Sequence, residues 1–135
     1  MFNSNDNYYG QMSTHKPLIL IVDDNAMILR NIKAILDERY EVAVAPSGVH
    51  ALKSITTNIP DLILLDYEMP EMNGKQVMEI LLEVDEYKDI PIIFLTSIDS
   101  KQRVLELLSL KPAGYMLKPV DPDDLMDKVR EILGR

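Results

Sequence analysis

A small set of side chains in this sequence could do chemistry together, and each follows a short apolar run. Asp23 and Asp24 follow Leu18-Ile19-Leu20-Ile21-Val22, and Asp66 follows Leu62-Ile63-Leu64-Leu65. Thr96 and Ser97 follow Ile92-Ile93-Phe94-Leu95, and Lys118 follows Tyr115-Met116-Leu117. Short apolar runs bounded by turn residues read as strands buried on both faces. In open parallel α/β sheets, ligands bind at the carboxyl ends of the strands. If these strands are parallel neighbours, their ends bring three aspartates, a threonine and a lysine to one rim. Three carboxylates at one place repel, so at least one pKa rises unless a cation intervenes. Oxygen-only donors suit Mg2+ or Mn2+, and a lysine ammonium suits a phosphate as a flexible point charge. Each feature alone has a plainer reading: Asp66 as a turn residue, Asp23-Asp24 as a helix cap, Thr96 as a strand end bonding backbone. The coincidence of all the strand ends favours a phosphate-and-metal site over those readings.

The elements that must position these residues follow from periodicity and caps. Asn25 can cap a helix reaching residue 38, with Ile28, Ile32, Ile35 and Leu36 on one face. A second strand spans 41–45, and Ser47 caps a helix with Val49, Leu52 and Ile55 inward. Pro60 ends that helix, because the residue before proline avoids the helical region. After Asp66 the chain turns through Met69-Pro70, and Gly74 relieves a tight backbone position ahead of a third helix. That helix carries Val77, Ile80, Leu81 and Val84 on one face. Pro91 opens the next strand, where a missing N–H is tolerated. Asp99 and Gln102 have the spacing of a capping box for a fourth helix, whose inner face is Val104, Leu107 and Leu108. A last strand spans about 113–117. Asp121, Pro122, Asp123 and Asp124 open a fifth helix with a cap, a proline at the first position and acids in the first turn. Leu125, Val129, Ile132 and Leu133 face inward. Strands alternating with helices imply a parallel sheet covered by helices on both faces.

Composition narrows the classes. The 135 residues favour one domain, and the 47% hydrophobic content is enough for a proper core. Lys plus Arg is 14 against 22 for Asp plus Glu, a net charge of −8, so the chain is a poor partner for nucleic acid. There is no cysteine, which excludes disulfides, thiolate metal sites and a cysteine nucleophile. No apolar run is long enough to span a bilayer, and residues 1–16 lack the basic and apolar segments of a signal peptide. Those residues, rich in Asn, Ser, Tyr and Gly, read as a flexible tail ahead of a domain over 17–135. His15, in the tail, and His50, on a helix, read as surface residues without a catalytic role.

The set Asp23-Asp24, Asp66 with Met69-Pro70 and Gly74, Thr96-Ser97 and Lys118-Pro119 resembles the receiver domain of two-component response regulators. The resemblance covers roughly residues 17–133. It implies a doubly wound five-stranded parallel sheet of flavodoxin-like type, strand order 2-1-3-4-5, the order that defines this fold class. It implies that Asp66 is the phosphoacceptor, assisted by Lys118 and Thr96. Mg2+ (or Mn2+) would be held by Asp24, Asp66 and the backbone carbonyl of Glu68, with Asp23 acting mainly through water. Thr96 and Tyr115 would form a switch, and the Lys118-Pro119 peptide would be cis. The implied partners are a histidine kinase or phosphotransfer protein, whose histidine donates the phosphoryl group, and an effector met through helix four, strand five and helix five. A homodimer is compatible with the resemblance, and neither nucleic acid nor membrane is a direct partner. The resemblance further implies a cytoplasmic signalling module rather than a turnover enzyme.

Two departures from the family pattern stand out. Lys111-Pro112 replaces the Gly-Ala pair common between helix four and strand five. Glu68 adds a negative charge two residues after Asp66, and with Ile98 is expected to lengthen the life of a phosphorylated state. Other readings fit less well. A phosphohydrolase of the haloacid-dehalogenase type wants a second aspartate where Glu68 stands, leaves no room for a cap domain and gives Asp23-Asp24 no role. A flavin carrier needs a phosphate-binding loop after the first strand, where Asp23-Asp24 would repel phosphate. An interaction module that has lost phosphorylation would be expected to lack a key residue, and none is missing.

Overall fold

The computed structural model describes residues 15–97 and 100–135. The expected flexible tail over 1–16 therefore lies mostly outside the described residues, as do Ile98 and Asp99. Strands β1 (Leu18–Val22), β2 (Glu41–Ala45), β3 (Leu62–Asp66), β4 (Ile92–Thr96) and β5 (Gly114–Leu117) alternate with helices α1 (Ala26–Leu36), α2 (Gly48–Thr57), α3 (Gly74–Leu82), α4 (Lys101–Leu108) and α5 (Pro122–Leu133). The strands form one sheet in the order β2-β1-β3-β4-β5, every pair parallel. The expected strand order is therefore the observed one.

The continuous apolar runs have a direct cause: alternate residues serve two separate cores. Ile19, Ile21, Leu62, Leu64, Ile93 and Leu95 point to one face, where Leu29, Ile32 and Leu36 of α1 and Leu125 and Val129 of α5 cover them. Leu20, Val22, Ile63, Leu65, Ile92 and Phe94 point to the other, against Ala51 and Ile55 of α2, Val77, Met78 and Leu81 of α3 and Leu107 of α4. Burying each such large aliphatic side chain is worth about 1.5–3 kcal/mol. The central strand β3 is buried along its whole length, and it carries Asp66 at its end.

The helix faces differ in detail from the periodicity reading. In α1 the buried residues are Leu29, Ile32 and Leu36, while Ile28 and Ile35 only flank the core. In α2 the buried positions are Gly48, Ala51 and Ile55, and Val49 is exposed. In α3 Met78 takes the place expected of Ile80, which is exposed, and Val84 lies beyond the helix end. In α4 only Leu107 is fully buried, and Leu108 is exposed with Leu105. In α2 and α3, small residues and a methionine face the sheet in place of larger aliphatic neighbours. The α4 cap is Ser100, whose hydroxyl accepts from the Arg103 amide; Asp99 of the expected capping box lies outside the described residues. A capping box does occur on α3, between Asn73 and Gln76. Lys111, at the exit of α4, adopts a left-handed φ of 56°. Tyr40, nearly fully buried, donates from its hydroxyl to the Arg135 carbonyl at 2.6 Å and ties the chain end to the α1 side.

Candidate functional site

Parallel register alone brings the chemistry together. Val22 pairs with Leu65, Asp66 with Leu95, and Thr96 with Leu117, so each run ends at the same level. The next residues on β1 and β5 are Asp23 and Lys118. Lys118 Nζ lies 2.7 Å from Asp23 Oδ2 and 3.1 Å from Asp66 Oδ1, bridging the two carboxylates. Asp23 and Asp66 are buried, and Lys118 is largely so. The Asn25 amide donates to the other Asp23 oxygen at 2.9 Å, and the Glu68 amide donates to Asp66 Oδ1 at 3.2 Å. Asn25 in turn caps α1, accepting from the Met27 and Ile28 amides. The Lys118-Pro119 peptide is cis, as expected.

Burial is the largest influence on Asp66 and raises its pKa to about 7, with the neighbouring Asp23 charge adding to the rise. Lys118 and the Glu68 amide oppose this without overcoming it. For Lys118, burial works against the charge, yet the Asp23 hydrogen bond and the charges of Asp66 and Asp23 outweigh it and hold the ammonium pKa above its ordinary value. One cation therefore serves two buried carboxylates.

The donor set fits a hard divalent ion. One oxygen from each of Asp23, Asp24 and Asp66 lies within 4.8 Å of the others, and Asp24 is exposed, so the cluster is open to solvent. The donors are all carboxylate oxygens, as Mg2+ and Mn2+ prefer. The Glu68 contact seen here is made by its amide rather than its carbonyl. Thr96, fully buried, ends β4 beside Asp66, and its carbonyl accepts from the Lys118 amide at 2.9 Å. Tyr115 pairs in register with Phe94 and packs, partly buried, against the core under α2, α3 and α4. It does not stand free in solvent.

Gly74 is needed for a reason of proximity rather than torsion. A Cβ there would meet the Asp66 carbonyl at 2.5 Å and Tyr67 Cα at 2.9 Å. Its absence lets α3 begin directly against the end of β3, with the Gly74 amide donating to the Tyr67 carbonyl at 3.0 Å.

Some neighbours of the site were not legible in the sequence. Ser97 Oγ donates to Glu68 Oε1 at 3.1 Å, and Arg103 Nη2 lies 3.7 Å from Glu68 Oε2. Nothing in the spacing points to Arg103, because the contact depends on how α4 lies against the loop after β3. Tyr67 is buried and meets Phe94 edge-on, ring centroids 5.1 Å apart. His15 and His50 are exposed, and His50 Nδ1 lies 2.6 Å from Ser47 Oγ at the start of α2.

Fold and site together define an α/β protein of the flavodoxin-like class with a lysine-bridged acidic cluster at its strand ends. The family model described as response regulator receiver domain matches residues 19–130, and the chain belongs to that family. It is 34% identical to a chemotaxis protein CheY homolog of Campylobacter jejuni, over 86% of this chain and 92% of that protein. It is 32% identical to hybrid signal transduction histidine kinase D of Dictyostelium discoideum, over 93% of this chain but 8% of the kinase. A solved signal receiver domain of a signal transduction histidine kinase from Syntrophus aciditrophicus superimposes with a TM-score of 0.81 at 29% identity, covering 87% of this chain and 90% of that one. The chain thus spans nearly all of some relatives and only a small part of others. Among the described residues, no helix is long and apolar enough to cross a membrane.

Proposed function

We propose that this receiver domain accepts a phosphoryl group on Asp66 from the phosphohistidine of a histidine kinase or phosphotransfer protein, and that this changes an interaction surface. The observation that carries the reading is the Asp66 carboxylate, buried at the end of the central strand, 3.1 Å from Lys118 and clustered with Asp23 and Asp24. An Asp66 oxygen attacks phosphorus, the bond from phosphorus to the donor nitrogen breaks, and the electron pair leaves with the imidazole, which takes its proton from solvent. The product is an acyl phosphate, a known kind of covalent carboxylate intermediate. Such transfers need positioning and charge neutralisation more than protein acid–base chemistry. Asp23, Asp24, Asp66 and the Glu68 carbonyl would hold Mg2+ (or Mn2+), which when bound neutralises phosphoryl charge. Lys118, 3.1 Å from Asp66 Oδ1, would exchange that hold for a phosphoryl oxygen, and Thr96 would donate its hydroxyl to another. Water later removes the phosphate, so the domain is a reactant reset after each signal rather than a turnover enzyme.

Incubation with acetyl phosphate and Mg2+ should add one base-labile phosphate, detected by intact mass. Asp66→Asn should abolish it, and EDTA should suppress it. Unchanged labelling of Asp66→Asn would show that the phosphoacceptor lies elsewhere.

A further inference from the structure

Glu68 places a further carboxylate two residues after Asp66, outside the cluster of Asp23, Asp24 and Asp66. Each of its oxygens has a partner: the Ser97 hydroxyl at 3.1 Å and the Arg103 guanidinium at 3.7 Å. Ser97 directly follows β4, and Arg103 lies in the first turn of α4. The Glu68 amide meanwhile donates to Asp66 Oδ1 at 3.2 Å. One residue therefore touches the candidate phosphoacceptor through its backbone and α4 through its side chain. Lys118 is already shared between Asp23 and Asp66, so among the described residues Arg103 is the one cation paired with Glu68.

We propose that Arg103 is a positioning residue for phosphoryl transfer: it draws the Glu68 carboxylate against Ser97 and screens it, so that Glu68 does not repel an anionic phosphodonor on its way to Asp66. This rests on Asp66 as the phosphoacceptor. A phosphodonor carries negative charge, and an unscreened carboxylate two residues from the nucleophile opposes its approach. Arg103 acts through Glu68 and does not touch the reacting atoms. The Arg103 and Glu68 side chains are 55% and 38% exposed, so the pair is weak and salt-sensitive, and its effect on rate is modest.

The test is a double-mutant cycle on the initial rate of phosphorylation by acetyl phosphate, at saturating Mg2+ and low salt. Arg103→Gln should slow the wild-type background by about two- to five-fold. In the Glu68→Gln background the same change should alter the rate by less than about 1.5-fold, because there is no carboxylate left to screen. Arg103→Lys keeps the charge and should recover part of the lost rate. Raising the salt should close the gap between wild type and Arg103→Gln. A wild-type chain that takes up no phosphate overturns the phosphoacceptor reading and this proposal with it. A wild-type chain that is phosphorylated while Arg103→Gln matches its rate, or slows equally in both backgrounds, overturns the positioning role alone.

Discussion

At the scale of single residues, the site is governed by unequal charge. Two buried carboxylates share one ammonium, and burial with the Asp23 charge lifts the Asp66 pKa to about 7. This has a consequence for stability. The unfolded chain loses this proton near the ordinary value of 3.8, whereas the folded chain keeps it until about 7. Between those values the folded state binds the extra proton, so its stability falls as pH rises, and the loss is complete above about pH 7. Asn mimics the protonated acid and escapes the loss. In EDTA, Asp66→Asn should match wild type near pH 4 and exceed it at pH 8 by on the order of 2–4 kcal/mol. Urea unfolding at the two pH values measures this. An equal difference at both would mean that Asp66 is not held protonated by its surroundings. Divalent cation should narrow the gap at pH 8, since an ion that binds the folded form favours it.

At the scale of elements, the site depends on where helices start. Asn25 joins the α1 cap to Asp23 through its amide, so the first turn of α1 and the buried carboxylate hold one another. Asn73 and Gln76 cap α3, and Gly74 lets that helix begin against the backbone of Asp66 and Tyr67. Gly74→Ala would place a Cβ 2.5 Å from the Asp66 carbonyl, and no flexible side chain is there to yield. The start of α3 must shift. We expect a loss of about 2–4 kcal/mol in unfolding free energy and slower phosphorylation of Asp66, both measurable on the same preparation. Stability equal to wild type would mean that the α3 start moves without cost. An Asn73→Ala control, losing only the cap, should cost about 1 kcal/mol.

At the scale of the whole molecule, the sheet divides the core in two, and the site lies on the boundary. Phe94 belongs to the core under α2, α3 and α4, and Thr96 ends the same strand beside Asp66. Tyr115 pairs with Phe94 and packs against that core, so movement at Thr96 has a packed route to the face of α4, β5 and α5. Leu105, Leu108 and Leu117 are exposed there. On the proposed function, a phosphoryl group on Asp66 would offer the Thr96 hydroxyl a charge-assisted acceptor, and the response would be a population shift that phosphate favours by differential binding. Beryllofluoride, which mimics an acyl phosphate, should therefore change the Tyr115 ring NMR signals. Thr96→Ala should abolish most of that change while Asp66 remains phosphorylatable. Identical Tyr115 responses in both proteins would remove the link between the site and this face.

The alternation of strands and helices was legible in the residues, the strand order came from the family resemblance, and the gathering of Asp23, Asp24, Asp66, Thr96 and Lys118 follows once the strands are parallel neighbours. Apolar runs of strand length, each ended by a polar residue, leave little freedom: parallel strands in register must bring those ends to one rim. Caps written in adjacent residues, such as Asn25 and Asp121, were legible for the same local reason. The rotation of each helix on the sheet was not. Val49, Ile80 and Leu108 match the period but face outward, while Gly48 and Ala51 on α2, Met78 on α3 and Leu107 on α4 pack inward. Which of several apolar neighbours is buried depends on the shape of the opposing surface, and periodicity carries no such information. The same holds for polar contacts between elements distant in sequence. That Lys118 divides itself between Asp23 and Asp66, that Gly74 abuts the Asp66 carbonyl and that Arg103 reaches Glu68 are matters of ångströms, decided only when the helices settle on the sheet.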